Sequence, residues 1–271
     1  MAGASIGDLL RPAGIDPVDA RALLCAALAV SEAQLAAHPE QKLTDQQRER
    51  YLAWVERRRA GVPVAYLTGE REFYGLSFKV SPAVLIPRPE TELLVELALE
   101  CVAAEAPVSV LDLGTGSGCI AVAIARHRPG ARVTATEFAR EALAVARDNA
   151  ARHGVKIEIV ASDWFEALAG KRFELIVANP PYIRAADPHL NEGDLRCEPR
   201  HALVSGPSGL ECIELIVERA VRHLVAGGRL LFEHGYDQAG PARALLAAAG
   251  YQEVFSWRDL AGIERVSGGR V

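Results

Sequence analysis

The chain has 271 residues and a mass of 29.1 kDa; half of the residues are hydrophobic, the net charge is −5 and the pI is near 5.9. That is core enough for one large globular domain plus a small one, while an acidic balance offers no general counter-field to a phosphate backbone and points away from a nucleic-acid enzyme. Five cysteines without a C-x-x-C pair read as reduced thiols of a cytoplasmic protein, no apolar run approaches membrane-spanning length, and seven histidines without a cluster give no metal site.

Met1 to Asp8 has neither the apolar run of a signal peptide nor the arginines of a transit peptide. Asp16-Pro17 supplies an N-cap and a first-turn proline, and Leu23, Leu24, Ala27 and Leu28 then fall on one helical face. Thr44 with Gln47 makes a capping box for a helix that runs through Trp54 to Arg59 and stops at Gly61. Leu43, Leu52, Trp54 and Val55 are expected in the bundle core, and Arg57-Arg58-Arg59 complements the negative end of the helix dipole. Residues 1–71 therefore read as a helical domain, and 72–89 as a hairpin linker, because residues 72–80 alternate aromatic and polar side chains around Gly75.

From residue 90 to 271, helical and strand patterns alternate: 93–103, 108–113, 119–126, 133–137, 139–152, 156–161, 173–178 and 229–233. This is the pattern of a doubly wound α/β sheet, in which ligands bind outside the carboxyl ends of the strands. The first such end is Asp112-Leu113-Gly114-Thr115-Gly116-Ser117-Gly118. The loop lacks the Gly-Lys-Ser/Thr of a phosphate cradle and fails the G-x-G-x-x-G spacing of a dinucleotide site. A carboxylate at Asp112 suits a cationic ligand better, and the sulfonium and ammonium of S-adenosyl-L-methionine satisfy that requirement. The next strand ends in Glu137, an acid able to accept both ribose hydroxyls, and the third runs into Asp163-Trp164, a pair able to bracket an adenine.

The run Phe173 to Ala178 stops at Asn179-Pro180-Pro181-Tyr182. Two prolines fix φ and donate nothing, so the turn is stiff. The Asn179 side-chain oxygen and the Pro180 carbonyl can accept the two hydrogens of a planar NH2 group, with Tyr182 covering its face. The sequence places its catalytic group here, at Asn179, Pro180, Pro181 and Tyr182. His234 is expected to be a satisfied structural group, and residues 205–209 a surface turn.

DLGTGSG followed by NPPY resembles the class I S-adenosylmethionine-dependent amino-methyltransferases. Phe73-Tyr74-Gly75-Leu76-Ser77-Phe78, Leu85-Ile86-Pro87-Arg88-Pro89-Glu90-Thr91-Glu92, the stretch Leu195 to Leu203 and Glu233-His234-Gly235 narrow the resemblance to the HemK/PrmC family of release-factor glutamine methyltransferases, over nearly the whole chain. The resemblance implies a Rossmann-like seven-stranded sheet closed by an antiparallel hairpin near residues 251–257 and 263–270, preceded by a substrate-recognition helical domain. It implies cofactor contacts at Asp112, Gly114, Thr115, Gly116, Ser117, Gly118, Glu137, Asp163, Trp164 and Asn179, with Glu137 standing where the family more often has aspartate. Arg88 and Glu90 join the NPPY residues as expected substrate contacts.

The implied reaction is transfer of a methyl group to the N5 nitrogen of the glutamine in the Gly-Gly-Gln loop of peptide-chain release factors, by a cytoplasmic monomer with no membrane or direct nucleic-acid partner. Two alternatives stay open on the residues: an adenine-N6 methyltransferase of RNA or DNA, which uses the same acceptor pair, and a non-catalytic cofactor-binding adaptor for release factors.

Overall fold

The computed structural model describes residues 5–10 and 13–271; of the segment from Met1 to Asp8, residues 1–4 lie outside the described residues. The chain forms two compact units, one of residues up to Glu70 together with His189–Cys197, the other of Arg71–Pro188 and Glu198–Val271.

The first unit is helical: α1 (Ile6–Leu10), α2 (Pro17–Leu28), α3 (Glu32–Ala37), α4 (Asp45–Arg59) and α5 (Val64–Thr68). Local chemistry sets the helix starts. Asp16 accepts from Val18 N at 2.7 Å, and Thr44 with Gln47 forms the expected capping box, repeated by Ser31 with Gln34 ahead of α3. Ile6, Leu23, Leu24, Tyr51 and Val55 fill the core, each apolar side chain contributing about 1.5–3 kcal/mol by burial. Leu52 does not join them; it is 43% exposed, because Tyr51 and Val55, four residues apart, set the buried face of α4 and Leu52 turns about 100° away from it. The arginine triplet does close α4, and Arg58 also pairs with Asp19 at 2.6 Å and with Asp194 at 2.7 Å. Those bonds, with Cys197 Sγ donating to Gly61 O at 3.3 Å, hold His189–Cys197 to this unit.

A two-stranded sheet follows, β1 (Glu70–Phe73) and β2 (Leu76–Lys79), turning at Tyr74-Gly75 with both residues at positive φ. The second unit continues with α6 (Glu92–Cys101), β3 (Ser109–Leu113), α7 (Cys119–His127), β4 (Arg132–Glu137), α8 (Arg140–Arg152), β5 (Ile157–Ala161), β6 (Phe173–Ala178), α9 (Glu211–His223), β7 (Leu224–Glu233), α10 (Ala239–Ala248), β8 (Gln252–Arg258) and β9 (Glu264–Arg270). The sheet order is β5-β4-β3-β6-β7-β9-β8, parallel from β5 to β7, with β9 antiparallel to both β7 and β8. This is the expected seven-stranded, doubly wound sheet with a closing hairpin.

Strand β7 begins five residues earlier than the sequence reading, at Leu224 rather than 229, and its register against β6 shifts between Phe173 and Leu175. Helices cover both faces: Val110 and Val177 pack toward α6 and α7, while Leu111, Leu113 and Ile176 pack toward α9 and α10. The order of strand addition reverses at β3, with β4 and β5 to one side and β6 and β7 to the other, so the loops after the adjacent parallel strands β3 and β6 flank one switch point. Among the described residues no helix is long and apolar enough to cross a membrane.

Candidate active site

A cleft with about 830 Å³ of empty space, part of it open to solvent, lies at that switch point. Nine of the residues singled out in the sequence line it: Gly114, Thr115, Gly116 and Ser117 after β3, Glu137 at the end of β4, Asp163 and Trp164 after β5, and Asn179 and Pro181 after β6. Further wall comes from the segment before α6, including Leu85, Pro87 and Thr91, from Cys119 and Ile120 at the start of α7, and from Phe138 and His201, whose rings meet edge to face at 5.1 Å. Thr91, Phe138 and His201 were missed as site residues, although Thr91 and His201 stand inside motifs carrying the family resemblance and Phe138 directly follows the predicted acid.

The glycine loop is braced from below. Gly118 forms the N-cap of α7 at φ +83°, and a Cβ there would meet the Ala146 backbone at 3.3 Å, so only glycine satisfies both the conformation and the space. Buried Asn149 donates from Nδ2 to Ser117 O at 2.8 Å and to Lys79 O at 2.9 Å, joining the loop to the end of β2.

Asp112 does not line the cleft. It is fully buried, accepting from Thr115 Oγ1 at 2.6 Å and Ala121 N at 3.2 Å. Strand alternation explains the difference: Asp112 shares the Val110 face, beneath the first turn of α7, whose N–H groups attract a carboxylate. Both hydrogen bonds fall on Oδ2 and brace the loop, while Oδ1 is buried without a hydrogen-bond partner among the described residues.

Burial pushes the Asp112 carboxyl up from 3.8 to about 7, against the Thr115 and Ala121 hydrogen bonds. The folded state therefore binds the proton more tightly than the unfolded chain. The stability this contributes is fully present below pH 3.8 and is lost progressively until the pH passes about 7. Urea titrations at pH 5 and pH 8 should show wild type losing on the order of a few kcal/mol more than Asp112→Asn over that interval. Equal losses in the two proteins would remove Asp112 as the titrating group.

Glu137 is 6% exposed, and both its oxygens already accept backbone hydrogens: Oε2 from Gly116 N at 3.0 Å, Oε1 from Phe138 N at 2.9 Å and Ala139 N at 3.0 Å. Oε1 has both its lone pairs engaged and Oε2 keeps one, so the side chain is a preorganised acceptor on the cleft wall. Trp164 sits at φ +47°, an uncommon conformation for a bulky residue. It is held by Ser162, whose hydroxyl donates to Trp164 O at 3.1 Å and accepts from Ala167 N at 3.0 Å. The strain brings the indole to the Gly114 backbone, where an added Cβ would touch the ring at 3.4 Å. The two form an aromatic face against a bare stretch of chain.

At the end of β6, Asn179 donates from Nδ2 to Thr91 Oγ1 at 3.1 Å, which leaves Oδ1 as its free acceptor beside the cleft. Pro180 is buried, and its carbonyl accepts no hydrogen bond from a described residue. Buried carbonyls are normally paired, so this one marks a place for a donor. Tyr182 Oη donates to Glu233 Oε1 at 3.0 Å, and burial raises the phenol pKa well above its usual value, keeping it a donor.

The segment at residues 205–209 is not a simple surface turn. Ser205 is 1% exposed and Gly209 is buried against the Tyr182 carbonyl, which a Cβ would approach to 2.6 Å. Gln238 Nε2 joins the two by donating to Tyr182 O at 3.0 Å and Gly209 O at 3.2 Å. His234 is buried as expected, with Nδ1 to Gly235 O at 2.9 Å and Nε2 to Ser267 Oγ at 2.8 Å.

Arg88 and Glu90 do not line the cleft. Arg88 pairs with Glu198, whose side chain is fully buried and also accepts from Ile86 N at 3.0 Å; Glu90 is exposed.

Two family models match this chain, a PrmC N-terminal domain over residues 4–69 and a methyltransferase small domain over residues 90–193. A release factor glutamine methyltransferase of Burkholderia pseudomallei is 53% identical over 99% of the chain and 96% of its own length. One from Bordetella pertussis is 50% identical over 97% of both. A solved methyltransferase structure from Pyrococcus furiosus, 19% identical, superposes with a TM-score of 0.55 over 84% of this chain and 98% of its own, a likeness of fold.

Proposed function

The chain belongs to the release factor glutamine methyltransferase family, and from that premise we propose that it methylates the N5 nitrogen of the glutamine in the Gly-Gly-Gln loop of peptide-chain release factors. The observation that carries the reading is the pair of open acceptors, Asn179 Oδ1 and Pro180 O, at the end of β6. A primary amide has two hydrogens to fill them, and a carboxylate has none.

The cleft fits S-adenosyl-L-methionine: Glu137 Oε2 offers an open lone pair to a ribose hydroxyl, Trp164 a face to an adenine, and the glycine loop a close approach of backbone. When bound, this cofactor supplies an electrophilic methyl group on a sulfonium. An amide nitrogen is a poor nucleophile, because its lone pair is delocalised into the carbonyl. Positioning must then supply much of the rate. Asn179 and Pro180 hold both N–H groups, and Tyr182 covers the amide plane, so the nitrogen can rest about 3–3.5 Å from the electrophilic carbon.

As positive charge grows on nitrogen, both hydrogen bonds strengthen, which lowers the barrier rather than only improving binding. A glutamate in the same place would leave the acceptors unpaired, at a cost of about 1–3 kcal/mol per buried group. The net charge of −5 favours a protein substrate over nucleic acid, and the same reading makes the enzyme a cytoplasmic monomer whose residues 1–71 recognise the substrate and whose residues 90–271 catalyse.

Labelled S-adenosylmethionine, incubated with a purified release factor, its Gln→Glu variant, RNA and DNA, tests the assignment. Label is expected on the wild-type factor alone. Label on nucleic acid alone would replace this reading with adenine-N6 methylation, and cofactor binding without transfer to any substrate would reduce the chain to an adaptor.

A further inference from the structure

Glu233 ends β7, beside the strand that delivers Asn179, since Phe232 pairs with Ala178 in the parallel register. It is 2% exposed. One oxygen receives the Tyr182 hydroxyl at 3.0 Å; the other, Oε2, is buried and has no hydrogen-bond partner among the described residues. A half-paired carboxylate in the interior is costly, and strand packing alone does not call for an acid here, because Val266, its partner across the sheet on β9, is apolar.

Thr91 lies between this carboxylate and the amide-binding turn. It is 2% exposed and accepts from Asn179 Nδ2 at 3.1 Å, which leaves its own hydroxyl hydrogen to donate elsewhere; burial raises the Glu233 carboxyl above its usual range, against the Thr91 and Tyr182 hydroxyls, which favour the ionised form. Glu90 and Arg265 act on the same carboxylate with opposite signs.

On the amide-methylation reading above, we propose that Glu233 is a positioning residue for methyl transfer: it holds Tyr182 by a hydrogen bond and, beside Thr91, which holds Asn179, places a carboxylate behind the acceptor pair. In the reaction, the nitrogen lone pair forms the new C–N bond as the methyl–sulfur bond breaks, and sulfur keeps that electron pair. Positive charge moves from sulfur to nitrogen, and the nitrogen then releases one hydrogen to solvent as a proton. A charge one hydrogen bond behind Tyr182 favours that migration without touching the substrate.

The test is Glu233→Gln, which keeps an oxygen for Tyr182 and removes the charge, assayed as the full-length enzyme beside wild type. The expected result is a kcat about 10- to 100-fold lower, with the S-adenosylmethionine Kd within about twofold and a melting temperature no lower, because the neutral amide escapes the cost of burial. An unchanged kcat would overturn the proposal. So would a parallel fall in kcat, cofactor affinity and melting temperature, the signature of a merely structural residue. Should the variant fail to fold, Thr91→Val and Thr91→Ser decide: kcat falls in the first and recovers in the second, whereas equal activities overturn the proposal. Absence of label with wild type would instead overturn the amide-methylation reading, and the role of Glu233 with it.

Discussion

Replacing Asn179 with alanine is expected to lower kcat about 10²- to 10³-fold, while the S-adenosylmethionine Kd changes only a few-fold. The side chain is tied to Thr91 through Nδ2 and presents Oδ1 to the cleft. It is one of two acceptors proposed to fix the substrate NH2, and no strong base is needed if orientation carries the reaction. Cofactor affinity should survive, because Glu137, Trp164 and the glycine loop are built from other strand ends with their own anchors: Gly116 N, Ser162 and Asn149. Asn179→Asp sharpens the test by keeping the size and an oxygen acceptor. It loses the Nδ2–H that Thr91 receives, and gains a charge near Glu233. Isothermal titration gives the Kd and label incorporation gives kcat. Unchanged turnover in Asn179→Ala would remove the NPPY turn from the mechanism.

What sequence could reveal depended on how far apart the interacting residues stand. Caps and turns are local, so Asp16, Thr44 and the Tyr74-Gly75 turn lay where the sequence put them, within a residue or two of the element ends. The strand ends bearing Gly114 and Asn179 were legible for the same reason, since a run of apolar residues stops at glycine or proline. The side chains behind them were not. Asp112 precedes the loop in sequence, but strand alternation turns it under α7, away from the cleft. Leu52 is apolar on a helix whose buried phase is set by Tyr51 and Val55. Gly209 supports the Tyr182 carbonyl with Gln238, and Arg58 reaches Asp194 across 136 residues. Pairings of that span leave no periodic trace.

Arg88→Ala should destabilise the sheet-bearing unit by about 3–5 kcal/mol. Glu198, with its side chain fully buried, is held by the Arg88 guanidinium on one oxygen and by Ile86 N on the other. Removing the guanidinium strands a buried carboxylate with a single backbone donor, whereas removing the acid leaves Arg88, whose side chain is 29% exposed, able to reach water. Glu198→Gln should therefore cost less than Arg88→Ala. Arg88→Met combined with Glu198→Leu should recover much of the loss, because an apolar pair carries no desolvation penalty. Urea unfolding of the four proteins measures this. The same variants separate two roles for Arg88. If it braces the segment from Leu85 to Thr91 that walls the cleft, stability falls while the KM for release factor in the folded enzyme moves little, and the double variant regains activity along with stability. If it instead contacts the protein substrate, Arg88→Ala leaves stability near wild type, raises KM, and the double variant stays impaired.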